Sequence, residues 1–171
     1  MRMGAILAAA LVAVGVATAT PLRLAVPVVR QAPERCGPAA LGMVLRFYGA
    51  GAPALAEADR AYDPVLRGAL ITDLAAAARR AGFAAAVGSP SDDSLVALLR
   101  AGVPPVLLTR RGLGPVSRGH YVVLVGFDPA RDRFEILDGG ASARTLGRAS
   151  LLKPWRAAGG QALIVRRDTS S

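Results

Sequence analysis

The stretch that decides the fold is His120-Tyr121-Val122-Val123-Leu124-Val125-Gly126-Phe127, then Asp128-Pro129-Ala130-Arg131-Asp132, then Arg133-Phe134-Glu135-Ile136-Leu137-Asp138-Gly139-Gly140. After His120 the first block is apolar at odd and even positions alike, the pattern of a strand covered on both faces. The Asp-Pro-containing block is turn chemistry, and Arg133 to Leu137 reads as a returning strand closed by Asp-Gly-Gly. Together they predict an antiparallel hairpin at the centre of a sheet.

Outward from the hairpin, Pro105 to Thr109 reads as a buried strand and Arg110 to Gly119 as a polar, Gly-rich loop. Downstream come a short helix at Ala149 to Ala157 and a strand at Ala162 to Arg166. Upstream the pattern turns helical. From Cys36, Leu41, Val44, Leu45 and Tyr48 fall at i, i+3, i+4 and i+7, Pro38 suits the first turn, and Gly49 stops the helix. Pro53 to Tyr62 reads as a second helix. A third, capped by Thr72, runs to Gly82; a strand follows at Phe83 to Val87, and a fourth helix, Ser94 to Arg100, is opened by Asp92 or Asp93 and closed by Gly102. A further strand is expected at Leu24 to Val29. Helices first and antiparallel strands last define an α+β class.

The chain has 171 residues, 53% hydrophobic and 19% charged, which is a globular composition. No repeat, linker or low-complexity tract divides residues 20–171, so they are expected to form one domain. One Cys and one His exclude a Cys/His zinc site within the chain and an internal disulfide, and neither metal nor cofactor is expected. The net charge is +9, and of the 21 basic residues only Lys153 is not Arg. These arginines are scattered and only three Tyr and one Trp accompany them, so a solvated basic surface is expected and no nucleic-acid partner.

Residues 1–19, MRMGAILAAALVAVGVATA, carry Arg2, an apolar run of 15 residues from Met3 to Ala17, and Ala17-Thr18-Ala19 as a small-x-small cleavage site. The run is Ala-rich and short of the roughly 20 residues a spanning helix needs. A cleaved signal peptide is expected, with a mature chain beginning at residue 20 that is periplasmic or extracellular. Contact with the inner membrane follows only if the segment stays uncleaved as an anchor.

Cys36 is expected at a helix N-terminus, where partial positive charge favours a nucleophilic thiolate, and Gly37 beside it lets the backbone approach a substrate. A free thiol in an exported chain is an oxidation liability that is easier to understand if the thiol is used. His120 opens its strand at the edge of a Gly-rich loop, and the hairpin returns Asp138 to the same end of the sheet; a base oriented by a carboxylate is what a thiol nucleophile needs. Register decides whether the two meet. A symmetric turn pairing Phe127 with Phe134 sets Asp138 opposite Val123, facing away from His120, whereas pairing with Val122 puts both on one face. The chemistry therefore requires a one-residue shift or a bulge, and the sequence leaves both registers open. Gln31, five residues before Cys36, has an amide that can join the Cys36 backbone N–H in holding an oxyanion.

The string Gln31-Ala-Pro-Glu-Arg-Cys36-Gly-Pro-Ala-Ala-Leu-Gly-Met-Val-Leu45, followed by Gly119-His-Tyr-Val-Val-Leu-Val-Gly-Phe-Asp128 and Asp138-Gly-Gly140, resembles the bacterial C39-like cysteine peptidases of the papain-like superfamily, relatives of bacteriocin-processing double-glycine peptidases. The resemblance implies a papain-like fold and a thiol peptidase acting on a peptide or protein. Cys36 would attack the carbonyl, His120 would carry the proton, Asp138 would orient His120, and Gln31 would help form the oxyanion hole. Two features depart from the double-glycine enzymes, which usually have an acidic residue before the Cys and a slightly longer Gln-to-Cys spacing: here Arg35 precedes Cys36 and the spacing is five. An acyl transferase, a cell-wall amidase and a catalytically inactive peptide-binding module remain the other functions such a fold hosts. Oligomeric state and cleavage preference are left open.

Overall fold

Eight consecutive residues, His120 to Phe127, are buried in the longest strand, β4 (Arg118–Asp128). A computed structural model of the chain describes residues 20–112 and 117–168; the expected signal peptide, 1–19, and the middle of the 110–119 loop lie outside the described residues. Around β4 the chain builds β1 (Leu22–Arg23), α1 (Cys36–Phe47), α2 (Ala52–Arg60), α3 (Ile71–Arg80), β2 (Phe83–Gly88), α4 (Asp92–Arg100), β3 (Val106–Arg111), β5 (Arg133–Leu137), β6 (Arg144–Gly147), α5 (Arg148–Ala157) and β7 (Ala162–Arg167). The strands form one seven-stranded sheet in the order β2-β7-β3-β4-β5-β6, with β1 also on β4, and every pairing is antiparallel. This is the expected α+β architecture, with helices packed on an antiparallel sheet.

Period-two alternation along β4 divides the core into two layers. Tyr121, Val123 and Val125 pack with α1, α2 and α3. Val122 and Leu124 pack with α4, α5 and Leu107. The alternation then breaks, because Phe127 joins Val122 and Leu124 on the second face. The cause is a bulge in the β4–β5 ladder. Phe127 pairs with Phe134 and Gly126 with Glu135, but Leu124 pairs with Ile136 and Val123 with Leu137, so Val125 is the extra residue. Gly126 beside the bulge is required by close approach: a Cβ there would lie 2.8 Å from the Leu22 carbonyl oxygen of β1.

Several local expectations shift. Regular pairing ends at Arg23, so the strand expected at 24–29 is absent, and β3 takes the place beside β4 from Val106 and Val123 onward. The chain follows β4 only as far as Leu24, whose N–H donates to Val125, and Pro27 has no N–H to continue a ladder. Thr72 lies inside α3, whose N-cap is Leu70 with no side-chain cap. The cap of α4 is Ser91, which accepts from the Ser94 N–H, leaving Asp92 and Asp93 to complement the helix dipole in the first turn. The short strand β6 carries no apolar alternation and had no signal in the sequence.

Candidate active site

The polar ends of β3 and β4, the start of α1 and the 62–72 segment enclose a cleft of about 890 Å³. Gln31, Cys36 and His120 all line it. Leu66, Leu70 and Ile71 give its other wall an apolar character, the first two 54% and 52% exposed.

Cys36 is the first residue of α1 and is partly buried. First-turn N–H groups of a helix have no acceptor within it, so the donors beside Cys36 can meet an anion formed in the cleft. The neighbouring Gly37 has a role the sequence reading did not assign. A Cβ at this position would lie 3.1 Å from Ala69 Cβ, 3.2 Å from Tyr121 Cδ2 and 3.3 Å from Leu74 Cδ1. Its missing side chain lets the helix start press against β4, so Gly37, next to Cys36, packs on Tyr121, next to His120. The Tyr121 hydroxyl donates to the Ala69 carbonyl at 3.0 Å, and burial raises its pKa far above the ordinary phenol value, keeping it a neutral donor.

His120 is 8% exposed and stands where the cleft meets a smaller cavity, lined also by Thr109, Val122, Asp138 and Arg144. Its backbone carbonyl accepts from Thr109 Oγ1 at 2.8 Å. Ring nitrogen Nε2 is buried and has no hydrogen-bond partner among the described residues. Burial, then the Arg111 charge, push the His120 pKa below its ordinary 6.5, against the opposing pull of Asp138.

The bulge at Val125 supplies the one-residue shift that the hairpin chemistry requires. With Leu137 opposite Val123, the next residue, Asp138, falls beside Val122, on the face His120 occupies. Its carboxylate is engaged by other donors. Oδ2 accepts from Arg144 Nη1 at 2.5 Å and lies 3.9 Å from Arg111 Nη2, and Oδ1 accepts from the Gly140 N–H at 3.2 Å. Burial alone would raise the Asp138 pKa, but the Arg144 hydrogen bond, the Gly140 N–H and the two guanidinium charges outweigh it, so the carboxyl sits below its ordinary value. Asp138 thus lies behind His120, in the smaller cavity, held by an arginine that the sequence reading did not single out.

Gln31 reaches the cleft from the other direction. Its N–H donates to the Gly139 carbonyl at 3.3 Å, and its side chain lies directly over Gly139, where a Cβ would come within 2.3 Å of Gln31 Cδ and Oε1. Gly139 has φ +82°, a conformation that disfavours side chains in any case. The turn after Asp138 therefore supports the loop before Cys36. That loop is further tied to the 62–70 segment: Glu34, itself at φ 65°, pairs with Arg67, and the Arg35 guanidinium sits 4.3 Å above the Tyr62 ring. The arginine before Cys36 is thus occupied by an aromatic face. None of Glu34, Arg67, Tyr62 or Arg144 carried a motif by which sequence could select it.

A model of the Peptidase C39-like family matches residues 23–163. Among solved structures, one described as a C39-like peptidase from Bacillus anthracis superposes with a TM-score of 0.72 at 20% identity, covering 88% of this chain and 99% of that one. A double glycine motif protease from an AMS/PCAT transporter, crystallised in complex with the leader peptide, gives 0.66 at 23% identity, covering 86% and 98%. The peptidase domain of Streptococcus ComA, a bifunctional ABC transporter of a quorum-sensing pathway, gives 0.66 at 19% identity, covering 82% and 97%. At these identities the structural likenesses establish the fold. No curated protein sequence matches.

Proposed function

This chain belongs to the Peptidase C39-like family, and from that premise we propose that it is an exported cysteine peptidase whose nucleophile is Cys36. The observation that carries the reading is the convergence of Gln31, Cys36 and His120 on one cleft. In the proposed reaction the His120 imidazole takes the Cys36 proton as the sulfur bonds to the peptide carbonyl carbon. The carbonyl electrons move onto oxygen, where the Gln31 amide and the Cys36 N–H stabilise them. Collapse of the tetrahedral adduct breaks the C–N bond, the amine leaves with the proton held by His120, and water then hydrolyses the thioester by the same path. Asp138 is a positioning residue: it stands behind the imidazole while Arg144 fixes its carboxylate.

The complex of the double glycine motif protease with a leader peptide supports a peptide as the occupant here, while Arg35 and the short Gln31–Cys36 spacing speak against carrying over Gly-Gly preference. The competing reading is a peptide-binding module without turnover, favoured by the absence, among the described residues, of a hydrogen bond from Cys36 to His120 Nε2. Labelling with a thiol-directed electrophile separates the two. An activated Cys36 reacts much faster in the native protein than in the denatured chain at neutral pH; equal rates favour the binding module.

The pH dependence follows from the environment of His120. A base must be neutral to accept the thiol proton, and burial together with Arg111 holds the His120 pKa below 6.5. The acid limb of kcat/KM is therefore expected below pH 6.5, and Arg111→Gln should move it upward. Stability has the same sign: the unfolded chain takes up the proton more readily, so stability is full above the unfolded value and falls as pH drops through it. An acid limb clearly above 6.5, unmoved in Arg111→Gln, would remove His120 from the role of base.

Export is the location the 1–19 segment supports. Intact-mass measurement on protein recovered from the periplasm or medium should find a chain that starts at Thr20. Recovery of the full-length chain from the inner membrane would replace the signal peptide with an anchor.

A further inference from the structure

Arg111 and Arg118 end the β3–β4 ladder directly opposite each other, and both line the cleft that holds Cys36. Like charges in facing positions of an antiparallel pair repel, so this arrangement costs stability unless something anionic comes between them. Among the described residues no acid in contact with either arginine is free to do so. Asp138 is 3.9 Å from Arg111 but is hydrogen-bonded to Arg144 at 2.5 Å and to the Gly140 N–H. Glu34, whose charge Arg118 feels, is paired with Arg67. Among the described residues Arg118 has no ion pair. The charged side chains in the cleft wall are thus Arg67, Arg111 and Arg118 against Glu34 alone, a surplus of two positive charges. A concave, partly apolar wall concentrates such a field on whatever enters.

From this placement we infer that Arg111 and Arg118 form a subsite for a carboxylate of the peptide substrate, which makes acidic peptides the preferred class. Two guanidinium groups side by side present several N–H donors to one carboxylate, and the bound anion relieves their mutual repulsion. The carboxylate is that of an Asp or Glu side chain or that of the peptide C-terminus. The inference rests on the proposed occupation of this cleft by a peptide, but it concerns binding and so can be tested without turnover.

The first measurement needs no substrate. Cys36 is the only cysteine, so its alkylation by anionic iodoacetate and by neutral iodoacetamide can be followed by intact mass. The ratio of the two rates in the native protein should exceed that in the urea-denatured chain at low salt. It should fall several-fold in Arg118→Gln and further in Arg111→Gln/Arg118→Gln, and should shrink as salt rises. The second measurement is fluorescence anisotropy with Cys36→Ala protein and a library of labelled peptides. The peptides are matched sets carrying Glu, Gln or Lys at each position, with either a free or an amidated C-terminus. Glu peptides should bind on the order of tenfold tighter than their Gln counterparts, and Arg118→Gln should erase that difference without weakening the Gln peptides. If amidation alone abolishes the preference, the recognised group is the C-terminus. Equal affinity for Glu, Gln and Lys peptides, or a Glu preference that survives the double substitution, overturns the subsite. If the charge preference is present while wild-type protein cleaves nothing, the peptidase reading fails and the subsite stands.

Discussion

Replacing Cys36 with alanine is expected to abolish peptide cleavage, lowering kcat by on the order of 10⁴-fold or more, while leaving the fold and peptide affinity intact. The size follows from the covalent step. Without sulfur at the head of α1 no acyl intermediate forms, and only positioning and oxyanion donation remain. Cys36→Ser is expected to fall nearly as far, because a hydroxyl has no accessible ionised form at neutral pH even beside the helix N-terminus. The assay is turnover of a fluorogenic peptide library by the mature wild type and both variants, with circular dichroism as the control for folding. Cleavage by Cys36→Ala at the wild-type rate would eliminate a thiol mechanism. The substitution is structurally mild: Cys36 is only partly buried and the close packing at the helix start is made by Gly37.

How far the site could be read from the chain differs among its residues for physical reasons. Cys36 and the start of α1 were legible because helix periodicity and Pro38 mark that boundary. His120 was legible because the apolar run after it defines β4. The relation of Asp138 to His120 was not, since it depends on ladder register. The hairpin turn pairs Phe127 with Phe134 as its symmetry suggests, and that register alone would turn Asp138 away. The extra residue at Val125 reverses the outcome. Val125 is an ordinary buried valine, and only Gly126 beside it hints that another backbone comes close. Arg144 was beyond reach for a different reason. It lies on β6, a four-residue strand without alternation, so nothing local placed it beside Asp138. Arg111 and Arg118 fall inside the stretch 110–119 whose composition reads as a polar loop. They are instead the last pair of a ladder, and that regular pairing is what sets two like charges face to face.

Gly139→Ala is expected to cost as much catalysis as losing Gln31 outright, because the two share one volume. A Cβ at position 139 would stand 2.3 Å from Gln31 Cδ and Oε1, far inside contact distance, and the Gln31 N–H to Gly139 carbonyl bond ties both backbones together. Gln31 must then leave its place over the turn, and with it goes the amide proposed to meet the oxyanion. Removal of one such donor costs on the order of 10²–10³-fold in kcat, so Gln31→Ala and Gly139→Ala should each fall in that range with KM little changed. Gly139→Ala carries a second cost, since φ +82° is unfavourable for a residue with a Cβ, by roughly 1–2 kcal/mol of stability. Stability and catalysis can be separated by a double-mutant cycle. If Gly139 acts on catalysis through Gln31, adding Gly139→Ala to Gln31→Ala should lower kcat little further, while the part of the stability penalty set by φ appears in both backgrounds. Additive losses in kcat would mean that Gly139 acts through its neighbour Asp138 and the placement of His120, and Gln31 would then be an independent contributor to the cleft.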